Sequence, residues 1–97
     1  MQKAILLALT LSTAFAAHGF DAATKYSQTC AMCHASGVAG APKAFNQADW
    51  APRLKLGLPA LVNSVTNGKN AMPPRGLCND CTAEQYTDLI QYMAKAK

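Results

Sequence analysis

Cys30-Ala31-Met32-Cys33-His34 is the stretch on which the reading of this chain turns. A C-x-x-C-H run is the attachment pattern of c-type haem. Two residues between the cysteines set the thiolates to reach the two vinyl groups of one porphyrin. The histidine directly after Cys33 can turn its imidazole onto the iron. The run therefore offers two covalent anchors, Cys30 and Cys33, and one axial ligand, His34. The competing reading is a disulfide or half of a zinc site beside an incidental histidine.

Upstream, Met1 to Ala16 reads as a secretory leader. Lys3 supplies the positive start, Ala4 to Leu11 the apolar run, and Ala14-Phe15-Ala16 the small-x-small cleavage pattern. Cleavage after Ala17 is a second reading, and retention of the segment as an anchor is a third. The apolar run is too short to span a bilayer. The expected mature protein, residues 17–97, is one domain exported to the periplasm and free of stable membrane insertion. A chain this short builds a marginal core by itself, and a buried porphyrin with two thioethers would supply the missing stabilisation. The formal net charge of +4 falls when Lys3 leaves and falls again with two haem propionates. So small an excess argues against a nucleic-acid partner and leaves room only for a local basic patch.

Downstream, the periodicity is helical and no strand pattern of useful length occurs, so the expected fold is all-α, with three to five short helices wrapped around one haem. Asp21 is the expected cap of a helix through Ala22, Tyr26 and Cys30. Gly37, Gly40 and Pro42 mark a loop, in which the carbonyl of Ala41 or Pro42 is placed to accept from the His34 Nδ1–H. Asn46 and Asp49 open a short segment interrupted by Pro52. Pro59 opens a helix with Leu61, Val62 and Val65 on one face, and Asn67-Gly68 supplies a left-handed stop. Residues 69–80, with Pro73, Pro74 and Gly76, must be irregular. Thr82 and Gln85 form a capping box for the last helix, whose Tyr86, Leu89, Ile90 and Met93 stand on one apolar face.

The iron's second axial position decides the chemistry, because a methionine opposite histidine favours electron transfer whereas an open site favours ligand binding or peroxide chemistry. Met1 leaves with the leader, Met32 sits between the anchoring cysteines, and Met93 belongs to an apolar helix face. His18 lies at a mobile terminus. Met72 remains, far enough from His34 to circle the porphyrin edge and followed by two prolines that restrict its backbone. The metal ligands expected are His34 and Met72. The second pair, Cys78 and Cys81, lacks a following histidine, and three readings stay open: a structural disulfide, a redox dithiol, or a four-cysteine zinc site with Cys30 and Cys33.

Taken together, Thr29 to His34, Gly37 to Lys43, Trp50-Ala51-Pro52-Arg53, Asn67-Gly68-Lys69, Met72-Pro73-Pro74 and Cys78-x-x-Cys81 resemble the class I c-type cytochromes, and within them the cytochrome c5 family. The resemblance implies one haem c attached through Cys30 and Cys33, axial His34 and Met72, a Cys78–Cys81 disulfide, and first and last helices that cross. It also implies a monohaem periplasmic carrier rather than an enzyme. No base, nucleophile or polar pocket is indicated beside the iron. The alternative function is a haem protein with a displaceable sixth ligand, gas-binding or peroxidase-like.

Trp50 and Arg53 are weighed as donors to a haem propionate against a core indole and a solvated guanidinium. Lys43, Lys55, Lys69 and Arg75 are spread along the segments that should surround the haem, where they could steer an acidic redox partner. The identity of that partner is not written in the chain. A resting monomer is expected, with weak pairing through an exposed haem edge left open.

Overall fold

The computed structural model describes residues 19–97; the expected leader, residues 1–16, and His18 lie outside them. The described residues are all-α, as expected. Five helices follow in order: α1 (Ala22–Gln28), α2 (Ala31–His34), α3 (Gln47–Leu54), α4 (Leu58–Asn67) and α5 (Ala83–Ala94). Two short 3₁₀ turns, Val38–Gly40 and Pro74–Leu77, lie in the connections. The sole β-type pairing among the described residues is a bridge between Lys69 and Met72.

Local chemistry accounts for the helix ends. Asp21 caps α1, its carboxylate accepting from the Ala23 N–H at 3.1 Å and the Thr24 hydroxyl at 2.6 Å. These bonds hold the Asp21 carboxyl below its ordinary range, the Thr24 hydroxyl contributing most. The helix does not continue through Cys30, as its periodicity had suggested. Thr29 turns to φ −131°, ψ −78°, and its buried hydroxyl donates back to the Lys25 carbonyl at 2.8 Å. Cys30 then begins a separate turn, α2.

Asn46 caps α3 by accepting from the Asp49 N–H at 3.1 Å, and the helix persists across Pro52. α4 begins one residue before Pro59. Its stop is not left-handed helical: Gly68 has φ 86°, ψ 156°, an extended conformation at positive φ that is essentially reserved for glycine. Thr82 and Gln85 form the full capping box at α5, with bonds of 3.2 and 2.9 Å.

α5 is the centre of the packing. Tyr86, Leu89, Ile90 and Met93 are each at most 3% exposed, which confirms the apolar face. At about 1.5–3 kcal/mol for each large apolar side chain buried, this stripe contributes much of the core's stabilisation. α1 packs on one part of α5 and α4 on another, while α3 meets both α4 and α5. Where α1 meets α5, Tyr26, Phe45 and Tyr92 form an aromatic cluster with ring centroids 5.2 to 5.8 Å apart. The Phe45 N–H donates to the Met93 carbonyl at 2.6 Å. Lys25 of α1 also reaches Asp80, at 2.9 Å, just ahead of α5.

Candidate functional site

The helices enclose a mainly apolar cavity of about 290 Å³. α2 contributes Cys33 and His34 to its wall, with Cys30 just before, and the loop after α4 contributes Met72 and Pro73. Leu61 and Val65 come from α4, and Leu89, Ile90 and Met93 from α5. Every expected site residue, Trp50 and Arg53 included, lines this one space.

His34 is fixed from several directions. Its Nδ1 lies 2.8 Å from the Pro42 carbonyl, one of the two acceptors foreseen. A carbonyl can only accept, so Nδ1 carries the proton and Nε2 keeps its lone pair for a metal. The His34 carbonyl in turn accepts from the Ala44 N–H at 2.7 Å. Trp50 stacks on the imidazole, centroids 5.8 Å apart and planes at 28°.

The indole N–H of Trp50 donates to the Lys43 carbonyl at 2.9 Å, and the Lys43 N–H donates to Asp49 at 3.0 Å. Trp50 therefore braces the loop behind His34 through its one N–H. Arg53 likewise spends a guanidinium N–H on the Asp49 carbonyl of its own helix. Sequence reasoning named the Pro42 carbonyl but not the Lys43 carbonyl or the Ala44 N–H as parts of the same brace. The small-residue loop beside His34 was its one visible signal.

The two cysteine pairs are chemically different. Cys30 and Cys33 are unpaired thiols. Burial pushes the Cys30 thiol above its ordinary range, an effect only partly offset by the Thr29 hydroxyl 3.4 Å away. Cys78 and Cys81 are joined as a disulfide, Cα atoms 5.5 Å apart. That bond leaves the four-cysteine zinc set without two of its ligands.

The Met72 loop is unusual backbone. Met72 and Lys69 exchange two main-chain hydrogen bonds, of 2.9 and 3.0 Å, and the Met72 carbonyl lies close over Gly68. The Met72 sulfur lies beside Gly76, near Val65. Arg75, Gly76 and Leu77 then take φ of 70°, 55° and 66° in succession. Two non-glycine residues there cost about 1–2 kcal/mol each, so the surroundings must hold them. The Gly76 N–H donates to Pro73 at 3.0 Å and the Cys78 N–H to Arg75 at 2.9 Å. The Arg75 guanidinium donates to the Asn79 carbonyl at 2.9 Å, and the buried Tyr86 hydroxyl donates to the Cys78 carbonyl at 2.8 Å.

Two free thiols on one turn, an imidazole with Nε2 open and a methionine thioether, set in an apolar cavity, form a donor set that suits a covalently held haem iron and no common hydrolytic chemistry. Comparison with known proteins agrees. A family model described as cytochrome c oxidase, cbb3-type, subunit III matches residues 20–93. Cytochrome c5 of Ectopseudomonas mendocina is 40% identical over 67 residues, covering 67% of this chain and 77% of the relative. Cytochrome c5 of Azotobacter vinelandii is 38% identical over 78 residues, covering 78% and 90%. The solved structure of a mono-heme ferrocytochrome c from Shewanella putrefaciens is 55% identical with a TM-score of 0.71, covering 80% of this chain and 96% of that one. A structure described as an electron transfer complex of nitrite reductase with cytochrome c matches at 41% identity and TM-score 0.68, covering 75% and 89%.

A small helical domain with this donor set defines a haem c protein. The chain belongs to the class I c-type cytochromes and, within them, is of the c5 type.

Proposed function

We propose that the chain is a single-electron carrier of the periplasm, residues 17–97 forming one domain after removal of a leader at 1–16. One haem c is held by thioethers at Cys30 and Cys33, with His34 Nε2 and Met72 Sδ as axial ligands. The observation that carries this reading is the convergence of those four donors on one apolar cavity. When bound, the haem supplies the Fe(III)/Fe(II) couple.

The chain's own residues set the conditions for that couple. The Pro42 carbonyl holds the His34 proton on Nδ1 and raises the basicity of Nε2. Trp50 keeps the ring from rotating. Leu61, Leu89, Ile90 and Met93 keep water from the cavity interior, which limits the solvent rearrangement that accompanies a change of charge. A thioether from Met72 favours the reduced iron relative to a second nitrogen ligand. The role is electron transfer without conversion of a substrate.

Val38, Leu56 and Leu77 are exposed apolar side chains on the cavity wall, at 50, 61 and 48% exposure. Lys69 and Arg75 also line the cavity, and Lys43 and Lys55 lie close by in sequence to other lining residues. An apolar rim with cations about it suits a transient complex with an acidic redox protein of a respiratory chain. A neighbour described in complex with nitrite reductase supports a protein partner of this kind.

No helix among the described residues is long and apolar enough to cross a membrane. The deciding experiment is Met72→Ala in the haem-loaded protein. The weak charge-transfer band of methionine-ligated ferric iron is lost, the potential falls and the reduced protein binds carbon monoxide. An unchanged spectrum overturns the ligand assignment.

A further inference from the structure

Tyr86 carries a hydroxyl where a phenylalanine would fill the same space. The side chain is 3% exposed, and the hydroxyl donates at 2.8 Å to the Cys78 carbonyl inside the core. Cys78 is the point where the left-handed turn 75–77 ends and the chain rejoins the head of α5. The other end of the Met72 loop is fixed by the Lys69–Met72 bridge. Everything between these two anchors is proline, glycine or backbone in a disfavoured conformation. Loosening either anchor lets the turn relax toward ordinary φ values and carries Met72 with it.

We infer that Tyr86 is a positioning residue for the second axial ligand: its hydroxyl, fixed to the rigid helix α5, locks the Cys78 peptide and thereby holds the Met72 loop closed. The inference rests on the reading of Met72 as that ligand. The disulfide alone does not perform this task. It tethers the Cys78 side chain to Cys81, whose N–H also reaches the Cys78 carbonyl at 3.2 Å, but both ties stay within the 78–81 turn; the Tyr86 hydroxyl is the bond that joins this carbonyl to the buried face of α5. The Tyr86 bond holds that carbonyl from the rigid helix, and on the other side of the same residue the Cys78 N–H closes onto Arg75 at 2.9 Å.

α5 is a firm base for such a lock. Its capping box fixes the first turn, and Leu89, Ile90 and Met93 bury the turns that follow. Tyr86 itself stands one turn after the cap, its N–H bonded to the Thr82 carbonyl at 2.9 Å.

The test is imidazole binding to the ferric, haem-loaded protein, followed optically well below the thermal midpoint, in wild type, Tyr86→Phe, Tyr92→Phe and Met72→Ala. Imidazole enters only when Met72 leaves, so its apparent affinity reports the population of the open loop. Loss of one buried neutral hydrogen bond raises that population about fivefold, and Tyr86→Phe tightens apparent imidazole binding by the same factor. Tyr92→Phe makes the same chemical change on the same helix, in the cluster with Tyr26 and Phe45, and leaves binding at the wild-type value.

Equal binding in Tyr86→Phe and wild type, with the iron opened by Met72→Ala, overturns the positioning role and leaves the axial assignment intact. An equal rise in both tyrosine variants also overturns it, since general loosening then suffices. A Met72→Ala protein indistinguishable from wild type overturns the axial assignment and the inference together.

Discussion

Replacing Gly68 by alanine tests the geometry of the Met72 loop at its tightest point. A Cβ built on Gly68 would lie 3.0 Å from the Met72 carbonyl oxygen, 3.0 Å from the Pro74 nitrogen and 3.1 Å from the Pro74 Cδ. These neighbours are two backbone atoms and a ring carbon, none of which can swing aside. The residue also sits at φ 86°, ψ 156°, where an L side chain is strained by about 1–3 kcal/mol. Crowding adds about 1–3 kcal/mol. Stiffening of the unfolded chain returns about 0.4–1 kcal/mol.

The net expected loss from Gly68→Ala is about 2–4 kcal/mol, or about 8–32 °C in midpoint at roughly 4–8 °C per kcal/mol for a domain of this size. Gly40→Ala is the matched control, because Gly40 has φ 81° with nothing within 4 Å of an added Cβ. It carries the strain without the crowding and loses only about 1 kcal/mol. Guanidinium denaturation of the two haem-loaded variants, followed by far-ultraviolet circular dichroism and compared at constant m-value, gives both numbers. Equal losses in the two variants would show that the Met72 and Pro74 backbone does not lie against Gly68, and the reasoning would fail.

Trp50→Phe keeps a ring against His34 but removes the bond to the Lys43 carbonyl, and denaturation should show a loss of about 1–2 kcal/mol. Because the indole N–H faces the loop, the variant retains the wild-type reduction potential; a large shift would instead support the propionate role. Asp80 is held below the ordinary carboxylate value of 3.8, first by its hydrogen bond from Lys25, and Asp21 is held low chiefly by Thr24. For both, the unfolded chain binds the proton more tightly, so their stabilisation is full above 3.8 and disappears as pH falls through the lower folded-state value. Midpoints of wild type and Asp80→Asn, recorded from neutral pH into this acid range, should therefore converge as pH falls. A constant gap refutes the ion-pair assignment.

Much of this site could be read from residue types because its constraints are local. The C-x-x-C-H run sets two thiols and an imidazole within one turn, and a ligating histidine requires an acceptor for its other nitrogen, which pointed to the carbonyl of Ala41 or Pro42. The Thr82–Gln85 box and the α5 stripe are likewise set by short spacings. The misjudged points depend on atoms distant in sequence or on competing local bonds. Apolar spacing carried α1 through Cys30, but the Thr29 hydroxyl bonding back to Lys25 ends it. Trp50 offered an N–H whose bond to the Lys43 carbonyl no short spacing revealed. Prolines and Gly76 marked residues 69–80 as irregular, yet only Tyr86, Arg75 and the disulfide explain why Leu77 takes a positive φ.

The aromatic cluster of Tyr26, Phe45 and Tyr92 bears on how the protein matures. None of the three rings lines the cavity, and the Phe45–Met93 and Lys25–Asp80 bonds lie beside them as further ties between early and late segments. The described chain is thus clasped at its two ends by contacts independent of the cofactor. Closing so long a loop costs entropy that grows only slowly with length, and once it is closed the segments between can breathe without the chain dispersing. Thioether bonds at Cys30 and Cys33 would form on the cavity wall, at residues that take no part in this clasp.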